Sequence, residues 1–80
     1  MKKTELRQIV AETLEISPVD LESTKDLTTI RTFDSVAILT LMISLDERAG
    51  VKLSPAEAKN LHFYGDIEKL AEGQGILLTD

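Results

Sequence analysis

The sequence predicts an all-α fold: a small four-helix bundle of three main helices and one short helix, with a long loop between helices 1 and 2. Three observations predict it. Apolar residues recur at steps of three and four within residues 6–14, 38–49 and 67–71. No stretch of useful length alternates as a strand does. Gly, Pro, Ser, Thr and Asp punctuate the apolar stretches where helices start and stop. At 80 residues the chain fits one domain, 1–80. That is near the lower limit for a core without disulfides or metal.

Thr4 is placed to cap a first helix reaching Leu14 or Glu15. Leu6, Ile9, Val10, Thr13 and Leu14 share one buried face, and Arg7, Gln8, Ala11 and Glu12 face outward. Glu5 sits near the positive end of the helix. Across residues 15–34 the pattern fails. Ser17-Pro18 suits the start of a single turn, and the Ser and Thr residues beyond it favour turns over a long helix. Ile16, Val19, Leu21, Leu27, Ile30 and Phe33 are expected to pin this loop to the helices.

The central helix runs through residues 33–50. Asp34 and Ser35 are both good N-caps, and Gly50 suits a left-handed stop. Ile38, Leu41, Met42, Leu45 and Ala49 fall on one face; Val36, Leu39 and Ile43 fall on another. One apolar stripe is expected to build the core. The other is expected to face a partner or a cargo, because so short a chain has little left to cover it. After the link Val51-Lys52-Leu53, Ser54-Pro55-Ala56-Glu57 has the form of a capping box and starts a short helix to Asn60 or Leu61. Phe63-Tyr64-Gly65-Asp66 is a break, with Gly65 or Asp66 capping the last helix. Ile67, Leu70 and Ala71 are its buried stripe, and Gly73 or Gly75 ends it. The apolar tail Ile76-Leu77-Leu78 either tucks against the first helix or frays.

Composition removes several function classes. Without cysteine there is no disulfide, thiolate chemistry or Cys-ligated zinc. The net charge of −5, from 14 acids and 9 bases, argues against a nucleic-acid partner and favours a basic protein partner. No apolar run spans a membrane, and Met1-Lys2-Lys3 is not followed by a signal-peptide core, so a cytoplasmic chain is expected; a monomer is expected as well. His62 is the one histidine, and no nucleophile elbow surrounds Ser35, so an enzyme is not expected. One histidine and scattered carboxylates give no metal site.

Ser35 is the candidate for chemistry. A hydroxyl at a helix N-terminus stands beside unpaired backbone N–H groups, where a phosphate ester is well placed. Two plainer roles compete with this: Ser35 as a cap only, and the chain as an unmodified helical adaptor binding partners through Val36, Leu39 and Ile43.

The motif Asp34-Ser35-Val36 resembles the Asp-Ser-Leu attachment motif of the acyl carrier protein family. The likeness extends over nearly the whole chain: length, acidity, long first loop, second helix ending in Leu45-Asp46-Glu47, short third helix and final helix. It implies that a phosphopantetheinyl transferase attaches 4′-phosphopantetheine from coenzyme A to Ser35, with Asp34 as supporting cap. The arm's thiol then carries an acyl group as a thioester, which answers the missing cysteine. It further implies that Val36, Leu39, Ile43 and Glu47 meet partners: the transferase, an acyl-loading enzyme and a downstream synthase or transferase. Arg31-Thr32-Phe33 stands where the family has a Gly, and Ala37 and Thr40 stand where its fatty-acid members often have acids. These departures point to a discrete carrier in fatty-acid-like, polyketide or other specialised biosynthesis, with an aminoacyl or peptidyl cargo as the alternative.

Overall fold

In a computed structural model describing residues 1–79, the chain folds as α1 (Lys3–Leu14), α2 (Ser35–Ser44), a short α3 (Pro55–Lys59) and α4 (Tyr64–Gly73). Leu6, Val10 and Leu14 of α1, Leu41 of α2 and Tyr64, Ile67 and Ala71 of α4 are wholly buried in one core. Tyr64 is its largest fully buried side chain. Burial, with the Glu68 carboxylate nearby, pushes the Tyr64 phenol up, while the Arg7 guanidinium lies 5.7 Å from its ring centre.

α1 starts one residue before Thr4, and Thr4 does not cap it. Lys2 occupies the cap position without a side-chain bond. The tail does the work instead: the Lys3 N–H donates to the Thr79 carbonyl at 2.6 Å, and the Thr79 N–H donates to the Met1 carbonyl at 3.0 Å. An orphan donor at the helix start is thus satisfied by backbone from the far end of the chain. Leu78 is buried, so the tail tucks in; Leu77 points to solvent. Ala11, expected outward, is fully buried. Glu15 takes a left-handed conformation (φ 59°), the chain turns back, and the Ile16 N–H donates to the Ala11 carbonyl at 3.0 Å. α1 is therefore covered over a wider arc than one face.

The loop over residues 15–34 contains two single 3-10 turns, Pro18–Asp20 and Leu27–Thr29. Leu21, Leu27 and Ile30 pin it as expected, with Ile16 and Phe33 partly buried. Val19 does not, being 82% exposed. It lies in the Pro18–Asp20 turn, none of whose three residues is buried. The loop is also tied by backbone to the α3–α4 junction: Leu27 N–H donates to the His62 carbonyl at 2.7 Å, and Gly65 N–H to the Ser23 carbonyl at 2.9 Å.

α3 begins with the expected capping box. The Glu57 N–H donates to the Ser54 hydroxyl, and the Ser54 N–H donates to the Glu57 carboxylate. α4 begins at Tyr64, earlier than a Gly65 or Asp66 cap allows. Asp66 acts from inside the first turn, accepting the N–H groups of Phe63 (3.0 Å) and His62 (3.1 Å). α4 runs to Gly73, and Gly75 adopts φ 87° just beyond.

Candidate functional site

α2 begins where it does because Asp34 caps it. Asp34 is extended (φ −113°, ψ −175°), and its carboxylate accepts the Ala37 N–H at 2.8 Å. Its carbonyl accepts the Ile38 N–H at 2.9 Å. Of the two cap residues open in the sequence, Asp34 takes the task and Ser35 becomes the first helical residue. The turn before it is held by its own backbone: Phe33 N–H donates to the Ile30 carbonyl and Asp34 N–H to the Thr32 carbonyl, each at 3.0 Å. The Thr32 hydroxyl donates to the Leu14 carbonyl, fastening that turn to the end of α1.

Ser35 is exposed. The amides of Ser35 and Val36 have no hydrogen-bond partner among the described residues. A free hydroxyl therefore stands beside two free donors at the positive end of a helix dipole. Such a position suits a phosphate ester.

The two apolar faces of α2 separate cleanly. Leu41 and Leu45 are fully buried, with Ile38, Met42 and Ala49 packed partly against the core. Val36, Leu39 and Ile43 are 69%, 60% and 58% exposed. Below Ser44 the helix widens into a π-turn, Leu45–Ala49, which Gly50 ends at φ 68°. The sequence shows one unbroken helix here. The wider turn adds a residue per circuit and rotates the end of the helix relative to its start. Arg48 leaves at the flank, where its guanidinium donates to the Glu12 carboxylate at 2.7 Å. That bond holds Glu12 below the usual carboxylate range. Asp46 is paired with Lys52 across Gly50, a contact not read from the sequence. The spacing of opposite charges around that glycine was its one signal. Glu47 is exposed at the foot of the stripe. Beside the stripe, Met42, Ile43 and Leu53, with Asp46, Lys52, Ser54 and Glu57, line an open cleft of about 390 Å³.

His62 lies at the α3–α4 junction, its ring tilted 46° against Phe63. It is tied to Leu27 and Asp66 through its backbone. No group of three or more histidines and carboxylates is placed to hold a metal among the described residues. None of the helices described is long and apolar enough to cross a membrane.

A small helical bundle presenting an exposed serine at a helix start above an uncovered apolar stripe has the build of a carrier domain. The profile of the family described as "Phosphopantetheine attachment site" matches residues 4–72, and the chain belongs to that family. It is 33% identical over 61 residues to an acyl carrier protein from Renibacterium salmoninarum, covering 76% of this chain and 75% of that one. Its prosthetic group is accordingly 4′-phosphopantetheine, and it is a carrier protein, not an enzyme. Enzymes that modify it and enzymes that use its cargo are its partners.

Proposed function

We propose that residues 1–80 are a single acyl carrier domain and that Ser35 receives the phosphopantetheine arm. The observation that supports this is the exposed Ser35 hydroxyl beside the unpartnered Ser35 and Val36 amides. In the loading step, Ser35 Oγ attacks the phosphorus of coenzyme A that bears pantetheine. The bond from that phosphorus to the 3′,5′-ADP leaving group breaks, and the hydroxyl proton passes to a base of the transferase. Asp34 fixes the helix start through Ala37, so the hydroxyl and the two amides keep one relative geometry. Those amides and the helix dipole then favour the phosphodiester's negative charge. When attached, the arm supplies the thiol that holds the cargo, which the protein itself has no cysteine to provide.

Val36, Leu39, Ile43 and Glu47 form the surface that meets a phosphopantetheinyl transferase, an acyl-loading enzyme and a downstream synthase or transferase. The setting is cytoplasmic, the working form a monomer, and the pathway fatty-acid-like, polyketide or otherwise specialised biosynthesis. Fragment mass spectrometry of the protein after treatment with coenzyme A, magnesium and a broad-specificity transferase tests the assignment. The added mass is expected on Ser35; its appearance on another residue overturns the assignment.

A further inference from the structure

A second open cleft, of about 410 Å³, lies on the other flank of α2 from the one beside Met42 and Ile43. Thr13 and Glu15 line it from the end of α1, Arg31 and Thr32 from the loop, and Val36 and Thr40 from the first turns of α2. Its volume falls within the roughly 300–1,000 Å³ of small-molecule sites. The threonines already donate their hydroxyl protons to backbone: Thr13 to the Ile9 carbonyl at 2.9 Å, Thr40 to the Val36 carbonyl at 3.0 Å, and Thr32 to the Leu14 carbonyl. What each hydroxyl has left to offer is its oxygen as an acceptor. The carboxylates of Glu15 and of Asp34, which also lines the cleft, add acceptors and negative charge. Arg31 supplies the one cation in the lining, and its guanidinium has no hydrogen-bond or ion-pair partner among the described residues.

We propose that this cleft seats the pantetheine arm carried by Ser35, with the Arg31 guanidinium on its phosphodiester. The inference rests on the carrier reading and gives the arm a resting place on the α1 side of α2. The cleft begins where the arm does, since Asp34 and Val36 flank Ser35 and both line it. The order of groups also agrees. Down α2 from Ser35 come Val36 and Ala37, then Thr40 a turn further. Along the arm from its phosphate come a dimethyl carbon, then a hydroxyl and two amides. The amide and hydroxyl protons are donors, and the threonine and carboxylate oxygens are acceptors for them. A guanidinium matches a phosphodiester both in charge and in its paired N–H groups. It also offsets Glu15 and Asp34, which repel that phosphate. The cleft beside Met42, Ile43 and Leu53 fits the arm less well, because its first α2 residue, Met42, stands on the order of 10 Å down the axis from Ser35.

The test is heteronuclear NMR of the isotope-labelled full chain before and after treatment with coenzyme A, magnesium and a broad-specificity phosphopantetheinyl transferase. Mass spectrometry of the intact chain and its fragments establishes that the arm is on Ser35. The expected result is nuclear Overhauser contacts from the arm's methyl and methylene protons to the methyl groups of Thr13, Thr32 and Thr40. Arg31→Ala, at an exposed loop position, is expected to lose the contacts to Thr13 and Thr40, and Arg31→Lys to keep them in weakened form. Thr40→Ala gives a second variant, expected to lose the contacts to Thr13; thermal melts establish that each variant stays folded. Contacts from the arm to Met42 and Leu53, or none to any of the threonines, overturn the inference while leaving the carrier reading intact. So does a loaded Arg31→Ala protein whose contacts match those of wild type. An arm gained on no residue, or on one other than Ser35, overturns the reading of Ser35, and the inference falls with it.

Discussion

The carboxylate of Asp34 accepts the amide of Ala37 at 2.8 Å, and this bond sets the first residue of α2 as Ser35. Asp34→Ala removes the cap. We expect it to lower unfolding free energy by about 1 kcal/mol and to slow loading of Ser35, because the first turn frays. Asp34→Asn keeps an accepting oxygen and is expected to lie between the two. Denaturant melts paired with loading rates check this. Equal loading rates in wild type and Asp34→Ala would separate the cap from the site.

The two faces of α2 make opposite predictions. Leu41→Ala and Leu45→Ala empty fully buried positions and are expected to cost about 2–5 kcal/mol each. Leu39→Ala and Ile43→Ala remove exposed side chains and are expected to stay within about 1 kcal/mol. Thermal melts in which both pairs cost the same would mean that the faces are assigned wrongly.

Gly65 and Gly73 lie in the same helix and are expected to behave differently. A Cβ on Gly65 would stand 2.9 Å from the Ser23 carbonyl oxygen, a backbone atom that the Gly65 N–H itself engages. Gly65→Ala must push the loop off the α3–α4 junction and is expected to destabilise by about 1–3 kcal/mol. A Cβ on Gly73 meets open space, so Gly73→Ala is expected to be neutral or stabilising by up to about 1 kcal/mol. Chemical denaturation of the two variants decides between them.

Asp66 gives a pH prediction. The N–H bond from Phe63, and then that from His62, hold its carboxyl below the usual carboxylate range. A carboxyl with a lower pKa folded than unfolded adds stability above the unfolded pKa. That stability is lost as pH falls from about 4 through the folded value. The difference in stability between wild type and Asp66→Asn is therefore expected to be largest near neutrality and to shrink as the solution is acidified. A difference that is flat from pH 7 to 2 would show that Asp66 contributes by its shape and not its charge.

Much of this was legible in the sequence because it is local. Helical spacing separated Leu41 and Leu45 from Leu39 and Ile43. Ser54 with Glu57, and Gly50 at the end of the central helix, are signals contained within a few residues. What escaped depends on distant parts of the chain. α1 starts before Thr4 because the Thr79 carbonyl meets the Lys3 N–H from the other end of the sequence. Ala11 is buried because the loop turns back at Glu15. Val19 is apolar and spaced like its neighbours, but it falls in a 3-10 turn that buries none of its three residues. At the site, the Ser35 position was readable. The π-turn that brings Arg48 to Glu12 was not, since nothing in Leu45–Ala49 breaks a helix locally.

The most direct test is the intact mass of the chain before and after incubation with coenzyme A, magnesium and a phosphopantetheinyl transferase, for wild type and Ser35→Ala side by side. Ser35→Ala leaves Asp34, the exposed stripe and the core in place, so it removes only the hydroxyl. The expected result is one phosphopantetheinyl group gained by wild type and none by the variant. Equal gains in both, or no gain in wild type with any of several transferases, would contradict the role assigned to Ser35.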